Sequence, residues 1–346
     1  MKINYTFYLL LILLAISCKT YEEMHYDILR PAEYSVPAEI KSIVIVDNSY
    51  PFVPDDAHIA HVMGDLIRLD TVNVDTFTSV IISDLRKELA LRQFFDTVYS
   101  DTTRYNTLNG GSAYKAFDHS EINSICDKFN VDAVLSLEGA QYGTEINVMD
   151  MGAEYYATMD VDGLLFWRMY DRFLETPLYK TAQVDTLYWD GVGAGINHSA
   201  ATFPSIEDAV VELGEYLGFG FADKIVPRWE SVSRKLYTTG NPYFSSATEW
   251  MSKGNHYEAE KLWGYLYEKG KEKDKCKAAN NIAISKEERG DLRDAMEWAY
   301  KSYQASELSE SITNSEERRT ARQLYLDLVR RYRDQKKLDK QVGGGQ

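Results

Sequence analysis

The sequence has no excess of positive charge, and this limits the partners it can have. Its 346 residues include 38 Lys+Arg against 53 Asp+Glu, for a formal net charge of −15. A protein that binds a phosphate backbone by counterion release needs a concentrated positive surface. We therefore expect no nucleic-acid partner.

Cysteine is also scarce, and the sequence lacks the signatures of common catalytic sites. Three cysteines cannot form a disulfide framework. Cys126 and Cys276 fall in different predicted domains, and no histidine is placed in the sequence to activate either thiol, so we expect both to be buried. Gly-x-Ser-x-Gly, His-Glu-x-x-His and Walker patterns do not occur. The sequence therefore predicts a non-enzymatic protein with no cofactor.

Composition and charge distribution predict two folded domains. With 45% hydrophobic and 26% charged residues, the chain has the composition of a globular protein, and its length favours more than one domain. Residues 1–230 contain 16 Lys+Arg and 35 Asp+Glu, whereas residues 231–346 contain 22 and 18. The net charge thus changes from −19 to +4 where strand-like patterns give way to helical ones.

The first 18 residues have the pattern of a secretion signal. Lys2 is followed by an uncharged apolar run over residues 7–17, which is too short to span a bilayer. The run ends in Ala-Ile-Ser-Cys at Cys18. This motif resembles the lipobox of bacterial lipoproteins, in the looser form found in Bacteroidetes. The resemblance implies cleavage before Cys18 by signal peptidase II and attachment of diacylglycerol to its sulfur; the alternative is an ordinary secretory signal with an incidental cysteine.

The lipobox resemblance implies a location and a tether. Residues 1–17 are then a lipoprotein signal peptide, and the membrane is reached through acyl chains on Cys18, because no other segment approaches membrane-spanning length. Residues 18–39 lack helical or strand periodicity and are predicted to be the tether. The expected location is the outer membrane, facing the periplasm, with exposure at the cell surface as the alternative.

The first half of the mature chain alternates strand and helix patterns. Residues 40–46 and 94–99 are short apolar runs typical of strands, and Asp75–Arg92 has helical spacing. A helix capped by Ser120, three further strands and a last helix capped by Ser205 complete the order β-α-β-α-β-β-β-α. The sequence therefore predicts an α+β fold for this half.

Three stretches of this half resemble a known domain type. They are Lys-Ser-Ile-Val-Ile-Val-Asp-Asn-Ser from residue 41, Phe-Phe-Asp-Thr-Val from residue 94, and Phe-Asn-Val-Asp-Ala-Val-Leu-Ser-Leu-Glu-Gly from residue 129. Together with the element order, they resemble the periplasmic domains of the TolB amino-terminal and curli-secretion lipoprotein type. The resemblance implies an anticodon-binding-like α/β sandwich over residues 40–226 that contacts other envelope proteins.

The second half contains a repeat at a constant offset of 36 residues. The recurring positions are Ala247, Gly254, Ala259 and Trp263, matched by Ala283, Gly290, Ala295 and Ala299. This spacing of small residues is similar to that of the tetratricopeptide repeat. The similarity implies a short all-α solenoid: a linking helix at 227–240, two helix pairs at 241–306, a capping helix at 307–340 and a disordered tail at 341–346.

The layout as a whole also carries a resemblance. A lipobox, an α/β domain and tetratricopeptide-like helices in one chain resemble a family of uncharacterised Bacteroidetes envelope lipoproteins. The resemblance implies a location and a domain layout, and it implies no activity. The partner, the ligand and the oligomeric state therefore stay open.

Aromatic residues are the candidates for a binding surface. The chain has 25 Tyr and 6 Trp, and such side chains anchor both protein interfaces and carbohydrates. Trp250, Tyr257, Trp263 and Trp298 are the candidate protein-binding residues, with packing inside the repeats as the alternative. The leading hypothesis is a membrane-anchored scaffold or adaptor that holds an envelope protein. The second is a glycan-binding lipoprotein that uses aromatic residues of the long loops.

One constellation of side chains suggests a metal site. His58, His61 and Asp65, at spacings i, i+3 and i+7, lie on one face if the segment is helical, and three ligands with an open position suit catalytic zinc. The segment lies in a predicted loop, residues 47–74, where solvated polar residues are the alternative. A metal-dependent hydrolase is therefore the third hypothesis. Gly191–Gly195 lacks the last glycine of a dinucleotide fingerprint and predicts a flexible connection.

Overall fold

A computed structural model describes residues 20–50, 54–106, 116–308 and 316–342. These residues form two compact units. The α/β unit comprises residues 31–228 and the end of the chain from Lys340, and the helical unit comprises the residues up to Arg30 together with Trp229–Asp339. The predicted signal peptide and Cys18 lie outside the described residues.

The chain order is a mixed α/β region followed by a helical region. The strands are β1 (Tyr21–Arg30), β2 (Ser42–Asp47), β3 (His58–Val62), β4 (Asp65–Arg68), β5 (Thr97–Arg104), β6 (Ala133–Asp150), β7 (Tyr155–Asp171), β8 (Tyr179–Gly193) and β9 (Arg228–Tyr237). The helices are α1 (Val74–Arg92), α2 (His119–Phe129), α3 (Ile196–Ser199), α4 (Ile206–Ile225), α5 (Pro242–Ser252), α6 (His256–Lys269), α7 (Glu272–Glu288), α8 (Leu292–Leu308) and α9 (Glu316–Gln341). Within the described ranges, no helix has the length and apolar character needed to cross a bilayer.

β6 organises the α/β unit because it is long enough to pair with different strands along its length. Its first part pairs in parallel with β2, which pairs in parallel with β5. Its second part pairs in parallel with β3, and β4 pairs antiparallel with β3. On its other side β6 pairs antiparallel with β7, and β7 pairs antiparallel with β8. All these strands belong to one sheet, in which β8 is an edge strand.

Helices cover the two faces of this sheet unequally. α1 and α4 pack on one face, where Phe77, Phe221 and Trp167 belong to the main core. The rings of Trp167 and Phe221 are stacked with centroids 4.5 Å apart. On the other face α2 contributes Ile122 and Cys126 to a smaller core beside β2 and the start of β6. Beyond α2, the outer parts of β6, β7 and β8 alternate buried residues with partly or fully exposed ones, as expected of a sheet covered on one side.

The starts of two helices test the capping predictions. α4 begins after Ser205, whose side chain accepts a hydrogen bond from the Asp208 backbone N–H, as predicted. α2 begins earlier than predicted, because Asp118 is its N-cap. Asp118 and Glu121 form a capping box that satisfies two backbone donors at once, so Ser120 lies inside the helix.

β1 and β9 form a two-stranded sheet in the helical unit. The Thr238 backbone N–H donates to the carbonyl of Thr20 (3.2 Å), at the start of one strand and the end of the other. At the opposite end Arg30 pairs with Glu230 (3.0 Å). The two strands are therefore antiparallel.

Two sequence predictions are wrong at these strands. The predicted tether at 18–39 contains a strand at 21–30, and the predicted linking helix at 227–240 is a strand over most of its length. The buried positions of β9 do alternate, but one of them is occupied by Arg234. Because a charged residue interrupts the apolar alternation, the strand pattern was not recognisable in the sequence.

The buried Arg234 forms hydrogen bonds with the buried carboxylate of Glu287. Glu287 in α7 has no exposed surface. Arg234 donates to it from Nε (2.8 Å) and Nη2 (3.0 Å), the Arg331 guanidinium lies 2.7 Å away, and the Tyr26 hydroxyl donates as well. Burial by itself raises the pKa of Glu287, but the hydrogen bonds and charge of Arg234, with Tyr26 and Arg331, hold the pKa below its ordinary value. An ionised carboxylate therefore ties β1 and β9 to α7 and α9.

The helices α5 to α8 form two pairs with equivalent interiors. Residues that recur at the offset of 36 are fully buried in both pairs: Ala247 and Ala283, Ala259 and Ala295, Trp263 and Ala299. Gly254 and Gly290 follow α5 and α7 with φ of 74° and 82°, a conformation that favours glycine. The repeated small residues therefore have a structural reason, whereas the tetratricopeptide assignment stays a prediction.

The end of the chain differs from the predicted disordered tail. α9 continues to Gln341, one residue beyond the predicted capping helix, and residues 309–315 before it lie outside the described ranges. The Gln341 side-chain amide donates to the Ala32 carbonyl (3.1 Å) and accepts from the Ala32 N–H (3.0 Å). The prediction is wrong at Gln341, which these two hydrogen bonds hold in place; residues 343–346 lie outside the described part of the chain.

Candidate interaction surfaces

The three predicted metal ligands do not come together. His58 and His61 lie in β3 and Asp65 in β4, so the expected helical face does not exist. Residues three apart on a strand point to opposite faces. His58 is buried against Thr144 (2.9 Å), and burial lowers its pKa, whereas His61 is partly exposed beside Glu145 (3.9 Å). Across the described residues, no three His, Cys, Asp or Glu side chains are grouped as metal ligands.

The cysteines and glycines singled out in the sequence have structural positions. Cys126 and Cys276 are fully buried in separate units, and burial raises the pKa of each thiol to about 11. Gly191 and Gly193 belong to β8 rather than to a flexible connection. A Cβ at Gly191 would collide with the Ser199 carbonyl, so glycine is needed there because the backbone of α3 lies against the strand.

The four candidate aromatic residues divide into two groups. Trp263 is fully buried in the helical core, and Trp298 is partly buried with its ring edge-on to Tyr267 (5.2 Å). These two side chains therefore serve packing. Trp250 and Tyr257 are 42% and 69% exposed, so two of the four candidates can contact a partner.

Trp250 and Tyr257 belong to a larger group of exposed rings. Tyr243 lies seven residues before Trp250 on α5, and Tyr265 lies eight residues after Tyr257 on α6, so each pair shares a helix face. The rings of Tyr243 and Tyr265 lie 5.2 Å apart across the two helices. We call these four residues the aromatic surface. Tyr243 and Tyr265 are not among the residues predicted from the sequence, although helical spacing from Trp250 and Tyr257 points to them.

Lysines border the aromatic surface. The Lys253 ammonium lies 5.6 Å from the Trp250 ring centre, and that of Lys261 lies 5.7 Å from the Tyr257 ring centre. Glu249 pairs with Lys253 on the same helix turn, but this exposed pair is weak. The arrangement offers exposed rings and cationic groups side by side, which suits a partner with apolar and acidic side chains.

Two aromatic residues of the long loops, Tyr105 and Phe117, lie within the described ranges and pack inside the α/β unit, whereas Phe52 and Tyr114 lie outside those ranges. Tyr105 and Phe117 pack edge-to-face (5.7 Å) and lie against the small core under α2. The glycan hypothesis required two or more loop aromatics lining one exposed groove. Because these two rings are used in packing, the loop version of that hypothesis has no support in the described residues; residues 107–115 lie outside them.

The second candidate surface is the uncovered side of β6, β7 and β8, which we call the open face. It lies opposite the face that α1 and α4 cover, because side chains alternate along each strand. Along β8 every second residue from Lys180 to Val192 is exposed. The side chains of the open face include Glu145, Tyr156, Asp160, Asp162, Leu164, Val184, Thr186, Tyr188 and Asp190.

Carboxylates crowd the centre of the open face. Glu145 and Asp160 are direct cross-strand neighbours on β6 and β7, and Asp162 follows two residues later on the same side. No lysine or arginine within the described ranges forms an ion pair with any of the three. Burial and the charges of Asp162 and Glu145 raise the pKa of Asp160.

The basic groups of the open face lie at its margins. Arg168 is 2.7 Å from the buried carboxylate of Glu138, which also accepts a hydrogen bond from Tyr170 (2.5 Å). Arg168 therefore neutralises a charge of the interior, and Lys180 is exposed near the start of β8. The only imidazole near the carboxylates among the described side chains is that of His61. The centre of the face is thus acidic.

The comparisons with known proteins give a family and no activity. Residues 40–237 match the family described as "Domain of unknown function (DUF8603)", which spans more than half of the chain. The chain belongs to this family. Residues 245–331 match a second family, described as "Domain of unknown function (DUF6340)". No curated protein matches the sequence.

Several solved structures have distant similarity to the chain. The PelC dodecamer from Paraburkholderia phytofirmans is 8% identical, with 59% of this chain and 97% of that chain covered and a TM-score of 0.24. A hemagglutinin homolog from Helicobacter pylori is 10% identical, with 67% and 95% covered and a TM-score of 0.27. A Xanthomonas campestris protein of family DUF330 is 11% identical, with 56% and 89% covered and a TM-score of 0.23. At these scores the structures carry no argument about function.

Proposed function

We propose that this chain is a non-enzymatic, membrane-anchored envelope lipoprotein that holds a partner protein through the aromatic surface of its helical unit. The aromatic surface is the observation that supports this proposal most directly. Exposed tryptophan and tyrosine rings are enriched at the energetic centres of protein interfaces. Trp250 and Tyr257 remain largely exposed although neither is needed for the core of their helix pair.

The proposed partner has apolar and acidic side chains. Lys253 and Lys261 stand beside the rings, so carboxylates of a partner would pair with them at the border while its apolar groups cover the rings. Rim charges of this kind act mainly on the association rate, whereas buried rings act on the dissociation rate. The affinity of the complex is therefore expected to depend on the rings.

The proposed anchor is the acylated Cys18. The lipobox resemblance supports it, and each buried CH₂ of an acyl chain contributes about 0.8 kcal/mol of membrane affinity. The proposed location is the outer membrane with the folded units facing the periplasm. In this proposal Cys18 holds the protein at the membrane, and the aromatic surface holds the partner to the protein.

The aromatic surface is tested by capture from native membranes. The tagged double variant Trp250→Ala/Tyr257→Ala is compared with Trp229→Ala/Tyr216→Ala, which removes the same two ring types from exposed positions outside the aromatic surface. We expect the first variant to recover about tenfold less of the reproducible partner than the wild type, and the second to recover the wild-type amount. Equal recovery by both variants, or no reproducible partner at all, contradicts the proposal.

A further inference from the structure

The carboxylates of the open face are arranged at a cost to the fold. Glu145 and Asp160 face each other directly across β6 and β7, and Asp162 adds a third like charge on the same side. Like charges in direct cross-strand positions are destabilising. No lysine or arginine of the described chain pairs with the three residues; Glu145 has the His61 imidazole (3.9 Å) and the Asn147 amide (3.1 Å) beside it, and the Thr186 hydroxyl lies on Asp162. A locally unfavourable arrangement of this kind is expected at functional sites.

Apolar side chains lie in register with these carboxylates. Tyr188 of β8 is opposite Asp160, and Val184 is opposite Leu164, which follows Asp162 by two residues. Val184 is 68% exposed and Tyr188 is 54% exposed. The acidic centre therefore has an apolar border on β8. A surface that combines uncovered apolar groups with carboxylates that no lysine or arginine of the described chain neutralises has the composition of a docking site.

Hydrogen bonds hold the border in one geometry. The Thr186 hydroxyl donates to Asp162 (2.5 Å), and the hydroxyls of Tyr156 and Tyr188 lie 2.9 Å apart. The Tyr156 hydroxyl also reaches Asp190 (3.3 Å). Fixed side chains lose less conformational entropy when a partner binds.

We propose that the open face is a second docking surface, which takes a basic segment of a partner protein whose Lys or Arg side chains pair with Glu145, Asp160 and Asp162 while its apolar side chains cover Val184 and Tyr188. Charge complementarity selects this occupant. A two-fold dimer with its axis at the acidic centre of the open face would place the three carboxylates against their own copies, and the same charges repel nucleic acid and anionic lipid. This inference does not rest on the aromatic surface, which lies in the other unit.

The test uses the full chain and a defined peptide. The probe is a fluorescein-labelled peptide with three copies of Lys-Ser-Val-Ser, which in extended form presents Lys and Val on one side; the same peptide with Glu in place of Lys is the negative probe. Binding is followed by fluorescence anisotropy at low and moderate salt. We expect the basic peptide to bind, the acidic peptide not to bind, and the affinity to fall as salt rises.

Matched charge variants locate the binding surface. Glu145→Gln/Asp160→Asn/Asp162→Asn removes the three carboxylates of the open face, and Glu207→Gln/Glu212→Gln/Glu215→Gln removes three exposed carboxylates from α4, on the covered side of the sheet. Both variants change the net charge equally. We expect the first to bind the basic peptide at least about tenfold more weakly and the second to bind it within about twofold of the wild type. The single variant Asp160→Asn is also expected to bind the basic peptide more weakly than the wild type. It replaces the triple variant in the test if the triple variant does not fold.

Three results would overturn the inference. Equal losses of peptide affinity in the two triple variants would show that the peptide responds to net charge and not to the open face. Failure of the basic peptide to bind the wild type would show that the open face does not take a basic segment. Self-association in sedimentation that disappears in the open-face variant would assign the surface to a second copy of the chain. The double variant Trp250→Ala/Tyr257→Ala keeps the wild-type peptide affinity if the two surfaces are independent, so the two proposals can fail separately.

Discussion

Glu287 is the centre of a buried network of charged and polar side chains in the helical unit. Glu287 has two arginines and a tyrosine hydroxyl as partners, and none of its surface is exposed. Each partner lies on a different element: Tyr26 on β1, Arg234 on β9 and Arg331 on α9. Removing the carboxylate would leave Arg234 largely buried without its main counter-charge. Loss of the Glu287 carboxylate would therefore cost more stability than the loss of one exposed ion pair.

We expect Glu287→Ala to lower the free energy of unfolding by about 3–5 kcal/mol, because it leaves the buried Arg234 guanidinium with only the longer pair to Asp327 (3.3 Å). Urea denaturation of the full chain measures the change. Glu297→Ala is the control, since Glu297 forms only an exposed pair with Arg293 and should change stability by less than about 1 kcal/mol. Similar losses for the two variants would show that the buried network is not a main source of stability.

The same carboxylate gives a pH dependence with a definite sign. The pKa of Glu287 in the folded protein is below its ordinary value of 4.5. Its stabilisation is therefore complete above the unfolded pKa and is lost as the pH falls through the folded pKa. We expect the difference in stability between the wild type and Glu287→Ala to shrink in acid, and denaturation at neutral pH and below pH 4 measures it.

The effect of Asp160 on stability is expected to depend on pH with the opposite sign to that of Glu287. Its folded pKa is raised above 3.8, so its stabilising contribution is present at low pH and is lost as the pH rises through the folded pKa. We expect Asp160→Asn to stabilise the protein at pH 7 by roughly 0.5 kcal/mol by relieving repulsion from Glu145, with the gain vanishing in acid. Denaturation at both pH values tests this, with Glu212→Gln on α4 as the control. Destabilisation at pH 7 would show that the carboxylate has a structural role.

At the scale of elements, the hairpin of β3 and β4 could not be recognised in the sequence, because its turn lacks the residue that usually marks such turns. Residues 47–74 were predicted as a loop, yet the two strands pair antiparallel within it. Met63 and Gly64 connect them, both with positive φ (55° and 94°), as a two-residue turn between right-twisted strands requires. Asn or Asp is the usual first residue of such a turn, and methionine gives no sequence signal for it.

β1 is expected to be stable although the sequence predicted a tether there. Its residues Tyr21, Met24 and Tyr26 pack against the helical core. In hydrogen exchange we expect backbone amides of residues 21–30 to be protected to the same degree as those of β9, since the two strands share their hydrogen bonds. The exposed turn at residues 173–176 provides the fast-exchanging reference. Exchange of the 21–30 segment at the rate of this turn would restore the tether interpretation.

At the scale of the whole molecule, the two candidate surfaces differ in charge. The open face belongs to the part of the chain with a net charge of −19, and the aromatic surface with its lysines belongs to the part with a net charge of +4. The two surfaces offer different charges to a partner, because the lysines of the aromatic surface pair with Glu249 and Glu258, whereas no lysine or arginine of the described chain pairs with the three carboxylates of the open face. The proposed adaptor can therefore hold two dissimilar proteins.

The anchor gives a prediction for the whole protein. We expect Cys18→Ser to move the protein from the membrane pellet to the soluble fraction, because serine offers no thiol for acylation. Cys126→Ala removes a buried thiol elsewhere and should leave the protein in the pellet. Cell fractionation with quantitative blotting measures both. If the serine variant stays with the membrane, attachment does not depend on acylation of Cys18.

Local patterns in the sequence determined much of the α/β unit. The apolar run at β2, the helical spacing of α1 and the capped start of α4 are each set by residues a few positions apart, and all three are present in the structure. The repeat of small residues in α5 to α8 has an offset of 36 residues, and comparison of the sequence with itself shows it directly. Hydrophobic periodicity and capping act over one or two turns of chain, so the sequence displays them directly.

Only the tertiary structure decided the long-range pairings and the exposed surfaces on which the proposed function is based. Arg30 and Glu230 are 200 residues apart, so the pairing of β1 with β9 has no local signal. The buried position of Arg234 is explained by Glu287 and Asp327, which lie on two other elements. Whether a face of β6, β7 and β8 is covered depends on where the helices pack, and whether Trp250 or Trp263 is exposed depends on neighbouring helices. Exposure is a property of the assembled fold, and periodicity alone does not determine it.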